Sequence, residues 1–269
     1  MAGSQAVTRS TLRQQLADAL RDEALAGRLE QRREFTVKQI AEQYGVSATP
    51  VREALFDLCA QGLLESVQHR GFRVRQFTVA DFKAMVEARS LVVDGVFRRM
   101  AEHGPGTGLA EALVSVRRRA EEARRAARTG SLEVLIGYDL RFWRELSELV
   151  GNVYITDFLH RIRVQAWVFS VPYLREAPLL REELWGGHTA LVEAITRRDL
   201  DEARELVQEC NRQALDWADR LQAHLLDVRG AVPAAPAPST APAPYAGSLP
   251  HTGPGAPPGP GAAPRSEGA

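Results

Sequence analysis

The sequence predicts a mainly all-α chain in three parts. Residues 1–76 form an N-terminal helix-turn-helix unit with a small β-hairpin, 77–229 an antiparallel helical bundle of about six helices, and 230–269 a disordered Pro/Ala/Gly-rich tail. Three observations predict it. Apolar residues recur at three- and four-residue spacing through most of the first 229 positions, the period of helices with one buried face. Strand-like runs are short and adjacent, Leu63–Val67 and Phe72–Arg75, enough for one hairpin. From Gly230 the composition changes: eleven of the fifteen prolines follow it, and only Val232, Tyr245 and Leu249 remain as large apolar groups. Ordering such a segment would go uncompensated.

The elements follow in order. Leu12, Leu16, Ala19, Leu20 and Ala24 make the buried stripe of a first helix, followed by Gly27 and a polar gap from Glu30 to Glu34. Thr36-Val-Lys-Gln39 has capping-box form, a hydroxyl at the N-cap with a Gln three residues on. The helix it opens turns Val37, Ile40 and Ala41 inward and ends at Tyr44-Gly45, where Gly suits a left-handed C′ position. Ser47 or Thr49 caps the next helix, and Pro50 fits its first turn because its missing N–H has no partner there. Val51, Ala54, Leu55 and Leu58 form its core stripe, and Gly62 ends it. Gly71 supplies the permissive position of the hairpin turn Gln68-His-Arg-Gly71. Beyond residue 78, Thr78-Val-Ala-Asp81 and Asp199-Leu-Asp-Glu202 resemble cap boxes, and Gly104-Pro105, Thr129-Gly130, Gly151-Asn152, Pro172 to Pro178 and Arg198-Asp199 punctuate the bundle.

Bulk properties exclude several classes. The 269 residues carry 34 basic and 34 acidic side chains, so no global positive field attracts nucleic acid. Residues 1–75 hold eleven basic and nine acidic groups, a balance of +2, so any affinity for DNA comes from placed contacts. Cys59 and Cys210 lie too far apart in sequence to suggest a disulfide or metal knuckle by spacing. The first ten residues lack the apolar run of a secretory signal, and no segment approaches a membrane span. A cytoplasmic protein with no membrane partner is the expectation.

Two helices joined by a Gly-containing turn, the second capped and followed by a hairpin, make a winged helix-turn-helix. The N-terminal end of the second helix exposes Ser47, Ala48, Thr49 and Arg52, small or basic residues that suit close approach to a major groove. Arg52 can fork onto guanine or phosphate, and Lys38 is placed for a backbone contact. The wing tip His69-Arg70-Gly71 reaches toward neighbouring phosphates or the minor groove. The competing reading of this corner is a generic helix–turn–helix packing motif.

The stretch Ile40-Ala-Glu-Gln-Tyr-Gly-Val-Ser-Ala-Thr-Pro-Val-Arg-Glu-Ala-Leu55, with Gly62-Leu63 and Gly71, resembles the N-terminal domain of the GntR family of bacterial regulators. The resemblance implies a homodimer that binds a short palindromic operator. The family's Arg between Ser and Thr is Ala48 here, so a contact is missing or supplied elsewhere. Residues 80–225 resemble the FadR-type ligand-binding domain of that family, which implies a pocket for a small organic acid beside a divalent metal. The family's metal set is an Asp, a His four residues later and two further His. It falls on Asp139, Trp143, His188 and Cys210, so two ligands are replaced.

Asp139, His188 and Cys210 are chemically acceptable for zinc, but an indole cannot ligate and would occupy much of a small site. No cofactor is therefore expected, with a divalent metal such as zinc as the alternative. The ordinary readings are Trp143 in the core, Asp139 paired to an Arg, His188 hydrogen-bonded inside and Cys210 a small buried hydrophobe. Arg89 matches a family Arg that points into the cavity and can neutralise a carboxylate; its alternative is a surface salt bridge. Asp94 stands where the family has Glu. The expected effector pocket is thus Arg89, Asp139, Trp143, His188 and Cys210.

The function expected is a DNA-binding repressor modulated by a carboxylate-bearing small molecule. The alternative is a regulator without a small-molecule effector, controlled by a protein partner, with Trp143 filling the pocket. A metal-dependent enzyme is the remote third, since no nucleophile elbow, phosphate loop or telling carboxylate pair is present.

Overall fold

Helices begin where a side chain satisfies the first free backbone N–H groups. Thr11 caps α1 (Leu12–Leu25) in a reciprocal box with Gln14. Thr36 does the same with Gln39 for α2 (Val37–Tyr44), which Gly45 ends in the left-handed conformation at φ 65°. After α3 (Ala48–Ala60) come β1 (Leu64–Val67) and β2 (Gly71–Val74), an antiparallel pair with Leu64 opposite Val74 and Val67 opposite Gly71. The bundle is α4 (Val79–His103), α5 (Leu109–Thr129), α6 (Leu132–Glu148), α7 (Val153–Glu176), α8 (His188–Thr196) and α9 (Leu200–Gly230). The computed structural model describes residues 11–29, 33–103, 109–129, 131–176 and 184–230. Of the tail expected over 230–269, Gly230 is the last residue of α9 and the rest lies outside the described residues.

Among the described residues the bundle has six helices and the chain one hairpin, as the sequence predicts. Thr78 and Asp81 exchange hydrogen bonds at the start of α4 (2.8 and 3.1 Å), and the Asp199 carboxylate accepts from the Glu202 N–H at 3.0 Å at the start of α9. Two expectations are corrected. Ser47 occupies the N-cap of α3, but its hydroxyl makes no capping hydrogen bond. Within the stretch from Pro172 to Pro178, Pro172 itself does not stop α7, which runs through it and ends at Glu176. Proline removes one helical hydrogen bond there, and the fully buried neighbours Val171 and Leu174 hold the helix in line by packing. A further pairing that the pattern does not show is the bridge between Phe35 and Phe72, which ties the segment before α2 to the wing.

Head and bundle share one apolar core. Leu16 and Leu20 of α1, Val51 and Leu55 of α3, and Phe82, Phe169 and Trp217 of the bundle belong to a single buried cluster. The Gln165 side-chain amide on α7 donates to the Gln61 carbonyl at the end of α3 at 2.7 Å, and Arg175 of α7 pairs with Glu133 of α6 at 2.8 Å beside Gly27. Helix α7 therefore bears on the reading head with one face and, as shown next, on the interior cavity with another.

Candidate nucleic-acid interface and effector cavity

The open end of α3 forms the first site. Ser47, Ala48, Thr49 and Arg52 are all exposed, as are Lys38, His69 and Arg70. Lys38, Ala48 and Arg52 line one shallow groove between α2 and α3, floored by Ala41 and Val46. Because the Ser47 hydroxyl leaves the first N–H groups of α3 uncapped, that helix end presents free donors and a positive dipole to an anion. The cations nearby are loosely held. The Lys38 amine lies 3.8 Å from Glu42 with both side chains largely exposed, and Arg70 lies 3.6 Å from Glu34. Such pairs contribute little and release their cations readily. Among the described residues Arg52 has no carboxylate partner.

The wing tip is shaped by backbone constraint. His69 has φ 61°, and Gly71 has φ 113° with its α-carbon so near the Phe35 carbonyl that an added Cβ would sit 2.3 Å from that oxygen. Gly71 is thus needed on two counts. Phe56, exposed on α3 one turn beyond Arg52, meets Phe72 of the wing edge-on with centroids 5.6 Å apart. No sequence pattern singles it out, since it lies off the core stripe.

The second site is interior. A cavity of about 100 Å³ is lined by Arg89, Asp139, His188 and Cys210, which four different helices bring together, with Arg163, Trp167 and Trp185 beside them. Trp143, the fifth expected residue, stands against this group: its indole N–H donates to Asp139 Oδ1 at 2.9 Å. The same oxygen lies 2.9 Å from His188 Nε2, while Oδ2 accepts from the Trp167 indole at 2.7 Å and pairs with Arg163 at 3.6 Å. Burial pushes the Asp139 carboxyl up, but Arg163, then His188 and Trp167, outweigh it and hold it at about 2. It is therefore a carboxylate, which only accepts, so His188 Nε2 carries the proton in their shared bond.

That chemistry does not fit the zinc set. The Asp139 oxygens face N–H donors and a guanidinium, and the His188 nitrogen turned to them bears hydrogen rather than a lone pair. Burial also raises the Cys210 thiol, which keeps it protonated. Among the described residues no three His, Cys, Asp or Glu side chains are grouped to hold a metal ion. Asp139 and His188, of the tentative Asp139/His188/Cys210 zinc set, are joined in a hydrogen-bonded network, in which Arg163 also lies over the Trp143 ring at 4.0 Å.

Arg89 is not at the surface: it is 6% exposed, and its Nε donates to the neutral Asn211 side chain at 2.9 Å. Its Nη2 is buried with no hydrogen-bond partner. Burial, then the charge of Arg163, lowers its ionisation to about 10. Asp94 lines no cavity with it and instead meets Arg204 at 3.2 Å. Arg163, Trp167 and Trp185 are cavity residues that sequence reasoning missed, as is Asn211, the partner of Arg89. An Arg and a Trp one helical turn apart inside the apolar run from Ile162 to Val171 were the available signal.

Comparison with known proteins follows the same division. Residues 7–74 match the bacterial regulatory proteins of the gntR family, and residues 84–213 match the FCD domain. A probable D-xylose utilization operon transcriptional repressor of Paenarthrobacter nicotinovorans is 29% identical over 198 residues, 74% of this chain and 84% of that protein. The HTH-type transcriptional regulator YdhC of Bacillus subtilis is 24% identical over 181 residues, 63% of this chain and 74% of its own. The solved structure of E. coli McbR/YncC matches with a TM-score of 0.65 at 22% identity, over 80% of this chain and 100% of that one. At that identity the likeness shows the fold alone. No described helix is long and apolar enough to cross a membrane. With both of its parts so matched, the chain belongs to the GntR family of bacterial transcriptional regulators: it is a DNA-binding regulator with a C-terminal FCD domain, not an enzyme.

Proposed function

We propose that the chain is a homodimeric repressor whose heads grip the two halves of a short palindromic operator, and that a small carboxylate-bearing molecule in the bundle cavity modulates the grip. In the head, Lys38, Ser47, Thr49, Arg52, His69 and Arg70 would make the DNA contacts, with Ala48 leaving one fewer than usual in the family. The relative named as a repressor supports the sign.

One observation carries the effector half. The cavity holds two guanidiniums and one carboxylate, and Arg89, the cation without an acidic partner, has a buried Nη2 with no acceptor. A buried unpaired charge is destabilising by several kcal/mol, and an entering carboxylate supplies both the charge and the acceptor. Trp143 is not among the residues lining this cavity, which supports an effector over a regulator without one.

Footprinting on DNA selected from a random pool tests the reading. Protection of a two-fold site, relieved when a bound acid is added, is the expected result. Uniform coverage without sequence preference would overturn the operator assignment, and protection indifferent to every acid tried would overturn the effector.

A further inference from the structure

A second cavity, of about 80 Å³, shares Arg89 and Arg163 with the first, so the two guanidiniums form a common wall. The rest of its lining differs in kind. Val96, Phe97, Leu146, Leu191 and Val207 surround it, and Trp143, whose indole N–H is turned to Asp139, contributes its ring. Its polar groups beyond the two arginines, Ser147 and His160, carry no charge. The Ser147 hydroxyl donates to the Trp143 carbonyl at 2.6 Å. His160, which burial and then the nearby Arg144 and Arg21 push down to about 4, is a neutral ring at physiological pH, with a buried Nδ1 that has no hydrogen-bond partner. The chamber thus offers a cationic entrance and an apolar body.

We infer that the effector is an amphipathic monocarboxylic acid: its carboxylate lies on Arg89 and Arg163, and its tail fills the second cavity. This rests on the effector reading above and names the ligand class. A dry apolar cavity of about 150 Å³ takes a six-carbon ring, so about 80 Å³ suits a tail of roughly three to four carbons. Compact polyanions gain nothing from such a chamber, because their remaining charges would be desolvated against it without partners.

Isothermal titration of the full-length protein with acetate, pentanoate and citrate tests this. Each buried methylene strengthens binding roughly fourfold, so pentanoate binds on the order of fiftyfold more tightly than acetate, and citrate shows no such gain. Val96→Phe fills the chamber and brings the pentanoate-to-acetate ratio below about fivefold. Should Val96→Phe fail to fold, Phe97→Ala enlarges the chamber and moves the preferred acid from pentanoate to heptanoate. Acid or citrate binding that depends on Arg89, lost in Arg89→Gln but without any chain-length trend, overturns the tail chamber and leaves the effector reading standing. Absence of binding by every acid overturns both. A chain-length trend that persists undiminished in folded Val96→Phe places the tail elsewhere and also overturns the inference.

Discussion

The head and the bundle hold their functional groups on opposite sides of the solvent boundary. In the head, Arg52, Thr49 and Lys38 are exposed, and their ion pairs are loose or absent. In the bundle, Asp139, His188 and Arg89 are buried, and their hydrogen bonds lie in the interior. The difference teaches which observable each residue controls. Removing an exposed group leaves the fold intact and changes only what binds. Removing a buried one leaves its partners desolvated and changes stability first.

The largest expected effect therefore falls in the bundle. Asp139→Ala strands Arg163, the His188 N–H and two indole N–H groups around an empty acceptor. The expected loss is about 3–5 kcal/mol in urea unfolding followed by circular dichroism. A loss under about 1 kcal/mol would break the contrast with the head, because it would mean the network is solvated rather than buried.

This contrast also explains what was legible in the sequence. The head obeys local rules: the Thr36 and Gln39 box, the left-handed Gly45 and the stripe from Val51 to Leu58 are each decided within a few residues. The network is decided by tertiary proximity. Asp139 sits on α6, Arg163 and Trp167 on α7, His188 on α8, and Arg89 meets Asn211 from α4 to α9. Helical spacing put Asp139 and Trp143 on one face, but it carried no information that the Trp143 indole would donate to Asp139. Nor could it show that the cation paired with Asp139 is Arg163 and that Arg89 would meet only the neutral Asn211.

Acidity bears on two buried groups of the bundle, His160 and Asp139. His160 is held down to about 4 by burial, then by Arg144 and Arg21, with Asp157 acting against them and Arg163 adding to them. A histidine with a lowered folded pKa stays neutral while the unfolded chain takes up a proton. Stability is accordingly lost between about pH 6.5 and 4, by roughly 2–3 kcal/mol. Asp139 behaves in a second window: its folded value is below the unfolded one, so its contribution is present above about pH 4 and disappears toward about pH 2. Unfolding free energies of wild type and His160→Gln across this range check the assignment. The variant flattens the upper window and leaves the lower one.

Within the head, two glycines sharpen the comparison. Gly71→Ala meets the Phe35 carbonyl at 2.3 Å in a backbone conformation that L residues rarely adopt, and is expected to lose about 2–3 kcal/mol. Gly45 is also left-handed, but nothing lies within 4 Å of an added Cβ, so Gly45→Ala loses only about 1 kcal/mol. Equal losses in thermal unfolding would show that backbone strain alone, not the bridge to Phe35, governs the wing.

The smallest effects on the fold belong to the proposed contact residues, and they are read on DNA. Arg52→Ala should weaken operator binding by about 1–3 kcal/mol and relax preference at one base position, with unfolding unchanged. Lys38→Ala should weaken all sequences alike and reduce the slope of log affinity against log salt by about one, because a phosphate contact releases one counterion. Its pair with Glu42, at 3.8 Å and largely exposed, contributes nothing measurable to stability. The two variants are informative together. If Lys38→Ala changed sequence preference, or Arg52→Ala changed only the salt slope, the roles at the two walls of the groove would be exchanged. The open end of α3 would then be anchored on the backbone, and α2 would read the bases.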